Sequence, residues 1–176
     1  MIISVEKAKE LIDFKGWTDS KIEHKLKAVE QTIRAYTHNN FQDRDCRKTV
    51  DIIGGLFVFE ANNPFEAEDT VMVTETKLNK GLFTVIASYD TSFEVAEAVK
   101  DEERVLVTKV HYPEDVIECA INLLEWDVNN RAKVGVQSET LSRHSVTYFS
   151  MDGNNSVMGY PVSLLGCLKA YKKARF

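Results

Sequence analysis

The side chains that could do chemistry in this chain are four histidines, three cysteines, scattered acidic clusters and a cationic stretch around residue 170. Their spacing decides what that chemistry could be. His24, His38, His111 and His144 fit neither an HxxxH nor an HExxH pattern, so they read as surface or packing residues rather than metal ligands. Cys46, Cys119 and Cys167 lie far apart with no CxxC pair. That spacing signals neither a zinc site nor a disulfide framework, and the expectation is three reduced, mostly buried thiols. Glu66-Ala67-Glu68-Asp69 and Asp101-Glu102-Glu103 lack the alternating acids and central glycine of a calcium loop, and read as solvated loops. Asp152-Gly153-Asn154-Asn155 reads as a loop tip. Gly54-Gly55 has no phosphate-cradle spacing around it, which leaves a bulge or a tight turn. No GxSxG elbow supplies a strained serine. Cys119 falls on an apolar helix face that disfavours a thiolate. The sequence assigns no catalytic, cofactor-binding or metal residue, and the chain is not expected to be an enzyme.

Two features stand above this background. The first is the run Lys169, Lys172, Lys173 and Arg175 with Tyr171 and Phe176 interleaved. Cations in the last turn of a helix suit its dipole, while aromatic and arginine side chains are the usual anchors of interfaces. The second is Arg143-His144-Ser145-Val146-Thr147-Tyr148-Phe149, which alternates like a lone strand between helices. A strand must pair with something, here either the β region or a neighbouring subunit.

The elements that must position these residues follow from periodicity. Ser4 opens a short helix through Ile12, which Gly16-Trp17 breaks. Thr18 or Asp19 caps a longer helix to about His38, with Ile22, Leu26, Val29, Ile33 and Tyr36 as one apolar stripe. From about Thr49 to Val110 the chain is rich in β-formers: Asp69–Thr74, Leu82–Ile86 after Asn79-Lys80-Gly81, Ser92–Val95 and Arg104–Val110 read as strands of a small antiparallel barrel or sandwich. Pro113 starts a further helix to about Asn130, its face traced by Val116, Ala120, Leu123, Leu124 and Asp127. A last short helix runs from Pro161 to Phe176. The predicted fold class is therefore α+β: a mainly α-helical domain, 1–45 and 111–176, with an inserted small antiparallel β subdomain at 46–110.

With 176 residues, a net charge of −5 and a pI near 5.4, the chain is not built for broad nucleic-acid binding, which requires a cationic footprint. Met1–Glu6 lacks the basic and apolar regions of a signal peptide, and no apolar run approaches the ~20 residues that span a membrane. A soluble intracellular protein without a membrane partner is expected.

One ordered set of motifs carries a resemblance. After the Pro113 helix comes S-E-x-[LI]-x-R-x-S-V-x-Y, here Ser138, Glu139, Leu141, Arg143, Ser145, Val146 and Tyr148. It is followed by G-Y-P-x-x-[LI]-[LI]-x-x-L-K-x-Y-[KR]-K-x-R-F, here Gly159 to Phe176. This order resembles the head–tail connector (adaptor, head-completion) proteins of long-tailed bacteriophages. The resemblance covers the helical part and leaves the role of 46–110 open. It implies a structural virion protein with no cofactor, found at the head–tail interface and in the host cytoplasm during assembly. Such a protein forms a homo-oligomeric ring, about twelve subunits in the virion, under the portal protein. The ring extends the channel for passing double-stranded DNA without sequence-specific binding, and carries the next neck or tail-completion protein. The portal-docking residues would be Leu165, Leu168, Lys169, Tyr171, Lys172, Lys173, Arg175 and Phe176. The inter-subunit or channel segment would be Arg143, Ser145, Val146, Thr147 and Tyr148. Another phage neck or tail-completion protein, a small nucleic-acid-binding module and a small hydrolase on the β subdomain are the alternative readings.

Overall fold

The structure, a computed structural model, describes residues 1–131, 138–141, 144–147 and 155–174. The chain divides into two compact units: Asn40–Tyr112 with Met1, and Ile2–Asn39 with Pro113–Phe176.

The first unit is a closed antiparallel barrel. Its strands are β1 (Gln42–Ile53), β2 (Leu56–Val58), β3 (Thr70–Thr74), β4 (Gly81–Tyr89), β5 (Ser92–Val95) and β6 (Glu102–Val110), in the order β1-β2-β5-β4-β3-β6. Pairing of β1 with β6 closes the ladder, with Val50 opposite Val105 and Thr49 opposite Leu106. Closure gives every strand a hydrogen-bonded neighbour on each side. Ile53 and Leu56 face each other across Gly54-Gly55, whose φ values of 59° and 86° are both positive. A two-residue hairpin turn of that hand needs left-handed backbone at both positions, which glycine adopts without a Cβ penalty. The inward faces meet in a core of Val50, Ile52, Phe57, Phe59, Phe65, Val71, Val73, Val85, Phe93, Val95, Val105 and Val107. Phe57 and Phe93 stack with centroids 4.6 Å apart, and Phe65 meets Phe93 edge-on at 5.3 Å.

This corrects the expected fold class. Six strands close into a barrel with a core of its own, so the protein is not a mainly helical domain with a small β insertion. Neither β1 nor β2 was among the expected strands, and the first half of β1 fell outside the expected β region altogether. Asp43, Arg44, Asp45, Arg47 and Lys48 crowd it with charge, and a register shift between Gln42 and Arg47 disrupts its alternation.

The second unit is built on α1 (Val5–Leu11), α2 (Asp19–Thr37) and α3 (Glu114–Asn130). Ser4 accepts a hydrogen bond from the Lys7 amide and Thr18 one from the Lys21 amide, each satisfying an orphan donor of the first turn. His38 ends α2 in left-handed backbone at φ 51°. The stripe Ile22, Leu26, Val29 and Ile33 is buried, as is Val116, Cys119, Ala120, Leu123 and Leu124 on α3, which packs against α2.

Three further expectations are corrected in this unit. The segment His144–Thr147 (β8) is not a lone strand, and its partner is not in the barrel. It pairs antiparallel with Ser138–Leu141 (β7), Glu139 opposite Val146 and Thr140 opposite Ser145. The polar composition of Ser138–Thr140 hid that partner. The terminal helix does not run from Pro161 to Phe176: it is a 3₁₀ helix over Val162–Tyr171, after which Lys172 is extended. Leu165, Leu168 and Tyr171 step by three, the spacing that aligns on one face of a 3₁₀ helix, and Gly166 weakens the α alternative. Finally, Cys119 and Cys167 are joined in a disulfide with Cα atoms 6.5 Å apart, so two of the three thiols are not free; Cys46 is.

Candidate docking surface

The 3₁₀ segment is positioned by a buried carboxylate. Asp127 sits on the inner side of α3 with its side chain fully buried. It takes an ion pair from Lys25 at 3.2 Å, the Nε of Arg131 at 2.6 Å and the hydroxyl of Tyr160 at 2.8 Å. Each oxygen therefore has a donor, which is what makes a buried carboxylate tolerable. Arg131 lies 4.8 Å from the ring centres of both Trp126 and Tyr160 and donates to the carbonyl of Gly159 at 3.0 Å. Gly159 is at φ 79°, and a Cβ there would come within 3.3 Å of the guanidinium. Burial, together with the bond to Asp127, pushes the Tyr160 hydroxyl far above the ordinary tyrosine range, so it stays protonated and donating. The turn at Met158-Gly159 joins the short strands β9 (Ser156–Val157) and β10 (Tyr160–Pro161), which pair with each other and lead into the 3₁₀ helix.

The residues singled out for docking divide sharply. Leu165 and Leu168 are fully buried, and the helix that carries them packs on α3 and α2. They hold the segment to its own unit. Tyr171 is half-buried, and its hydroxyl donates to the Asp115 carboxylate 2.7 Å away, which raises its pKa. The Lys173 amide donates to the Thr37 carbonyl at 2.8 Å, and the Lys172 ammonium rests 3.8 Å over the Tyr36 ring. Lys169, Lys172 and Lys173 are exposed. The outward part of the segment is thus three lysines on an anchored base. Arg175 and Phe176 lie outside the described residues, as do Arg143, Tyr148 and residues 150–154. Ser145, Val146 and Thr147 are in β8.

Charge is unevenly shared along the chain. Asn40–Tyr112 holds fourteen acids and eight Lys/Arg, a balance of −6, and the remaining residues hold thirteen acids and fourteen Lys/Arg, a balance of +1. At one place on the barrel Asp51, Glu75, Asp101, Glu102 and Glu103 line a cavity of about 910 Å³ beside the exposed Ile53. Glu102 accepts from the Thr76 hydroxyl, the Lys77 amide at 2.6 Å, the Leu78 amide at 3.2 Å and the Asn79 side chain at 3.0 Å. The bond from Thr76, then that from Lys77, holds its carboxyl below the usual glutamate range. Among the described residues, no group of three or more His, Cys, Asp or Glu could hold a metal ion. No described helix is long and apolar enough to cross a membrane.

Sequence reasoning missed two polar clusters. The signal for the first was Asp127 and Arg131 four apart on a helix beside Trp126, with a Tyr after a glycine downstream. For the second it was Thr76-x-x-Asn79, side chains that bond to nearby backbone, ahead of a strand. Compared with known proteins, the chain matches no family model and no curated protein.

Proposed function

We propose that this chain is a head–tail connector of a long-tailed bacteriophage, assembling in the virion as a ring below the portal, extending the DNA channel and carrying the tail. The observation that bears most weight is the ordered run of motif residues from Ser138 to Tyr148 and from Gly159 to Phe176. Three physical features support it. The 3₁₀ segment presents Lys169, Lys172 and Lys173 from a base fixed by Leu165, Leu168 and Asp127-bound Tyr160, a rigid element suited to an acidic partner surface. A two-stranded hairpin such as β7–β8 is marginal alone, so its edges suit pairing with an adjacent copy or lining a channel through Ser145, Val146 and Thr147. A subunit that meets its neighbour through two different faces closes into a ring, and an acidic barrel lets DNA pass without adhering.

The test is charge reversal rather than truncation, because removing residues from 169 onward would also remove the Tyr171–Asp115 and Lys173–Thr37 bonds that hold the unit together. The triple variant Lys169→Glu, Lys172→Glu, Lys173→Glu is expected to keep its circular dichroism and melting temperature. It is expected to lose co-isolation with portal-bearing capsids, which the parent chain shows, and the parent is expected to form rings by negative-stain imaging. A parent chain that ignores capsid vertices, or a triple variant that still completes capsids, overturns the assignment.

A further inference from the structure

The bridge between Cys119 and Cys167 ties the middle of α3 to the 3₁₀ segment across 48 residues of sequence. The two sulfurs arrive there from opposite environments. Cys119 is 1% exposed on the packed face of α3, whereas Cys167 is on the solvent side of the 3₁₀ helix. Both lie within reach of one acceptor: the Leu164 carbonyl is 3.4 Å from the Cys119 sulfur and 3.3 Å from the Cys167 sulfur. A Cα separation of 6.5 Å lies within the roughly 4.4–6.8 Å that a bridge accommodates without moving backbone.

We infer that Cys167 and Cys119 form a thiol–disulfide exchange site, taking small disulfides of the glutathione class, whose oxidation latches the C-terminal segment to α3. The order of events follows from exposure. The Cys167 thiolate attacks the small disulfide, forming a mixed disulfide and releasing one glutathione thiolate, which takes up the proton that Cys167 gave to water. Cys119, beneath it, then loses its proton and attacks the Cys167 sulfur. The internal bridge forms, the mixed disulfide breaks and the second glutathione leaves as thiol. Two protein thiols are oxidised, one small disulfide is reduced to two thiols, and two electrons pass to it. The reverse reaction with excess reduced thiol opens the latch. The dithiol state keeps the segment docked through Leu165, Leu168 and the Tyr171–Asp115 bond, so the bridge changes how firmly the segment is held rather than where it lies.

The experiment uses the full chain poised in reduced or oxidised glutathione, quenched in acid and alkylated under denaturing conditions. Mass spectrometry is expected to count three alkylated cysteines in the reduced sample and one, Cys46, in the oxidised sample. Peptides containing Cys119 and Cys167 should be cross-linked only in the latter. Amide hydrogen exchange over Val162–Tyr171 should slow about tenfold or more on oxidation. Cys167→Ser, which alters an exposed side chain, should show no such change. Three alkylated cysteines after oxidation would sink the exchange site. A bridge that forms without slowing exchange in the segment would sink the latch. Neither readout involves a portal protein, so this inference and the connector reading fail separately.

Discussion

The barrel and the helical unit bury comparable apolar side chains by opposite means. In the barrel, the core comes from alternate positions of six strands whose ladder closes on itself, and the buried polar side chains on those strands are the uncharged Thr70 and Thr108. In the helical unit, two helix stripes supply the core, and an irregular terminal segment is fastened to them by specific contacts: the Asp127 cluster, the Cys119–Cys167 bridge and the Tyr171–Asp115 bond. None of the acids of Asn40–Tyr112 is buried, so its surplus of six acidic charges stays in contact with water. The helical unit has no such freedom around residue 160, where one missing donor leaves a buried charge exposed to no water.

The largest expected effect breaks the barrel side of this comparison. Phe93 touches Phe57, Phe59 and Phe65 and has no exposure, so Phe93→Ala opens a cavity that a closed ladder cannot collapse around. The expected loss is about 3–5 kcal/mol in urea unfolding. Trp17 and Trp126 both lie in the helical unit, so tryptophan fluorescence reads that unit while far-UV dichroism reads both. Equal shifts in the two signals would mean the units unfold as one, and the contrast drawn above would be kinetic at best. Next in size is Asp127→Ala. The carboxylate is buried but Lys25 and Arg131 are partly exposed, at 28% and 37%, so the stranded cations recover some water. A loss of about 2–3 kcal/mol is expected, read from Trp126 fluorescence. A loss below the noise would show that aromatic packing alone seats Tyr160.

How much of this was legible depended on whether a contact is local. The cap at Thr18 and the stripe from Ile22 to Ile33 fix α2 because both act within a few residues, and they appear at Asp19–Thr37 as read. The four residues Ser92–Val95 form β5 as read, for the same reason. What failed was non-local or overridden. Gln42–Lys48 joins the barrel because β6 pairs with it through a bulge, although its own residues argue for a polar loop. The resemblance placed Leu165 and Leu168 on a docking face, but a sequence cannot say whether the surface that apolar side chains fill belongs to another protein or to α3. Cys119 and Cys167 have no motif spacing, since only the fold brings positions 48 apart into contact.

The smallest effect sharpens the comparison by using pH on the barrel alone. Glu102 is the acceptor for a loop that its carboxylate organises, with donors from Thr76, Lys77, Leu78 and Asn79, and its pKa is lowered by those bonds. A carboxyl whose folded pKa lies below its unfolded value contributes stability that is present above the unfolded value, near 4.5, and is lost as pH falls through the folded one. The amides of Lys77 and Leu78 should therefore keep their slowed hydrogen exchange down to about pH 4.5 and lose it progressively below. Glu102→Gln should abolish that pH dependence, because the neutral amide offers one oxygen that does not titrate in this range. The buried polar side chains of the barrel unit, Thr70, Asn79 and Thr108, carry no acid-titrating group, so strand amides such as that of Val73 should not follow the same profile. If Val73 loses protection together with Lys77, acid is opening the whole barrel and Glu102 is not a local clamp.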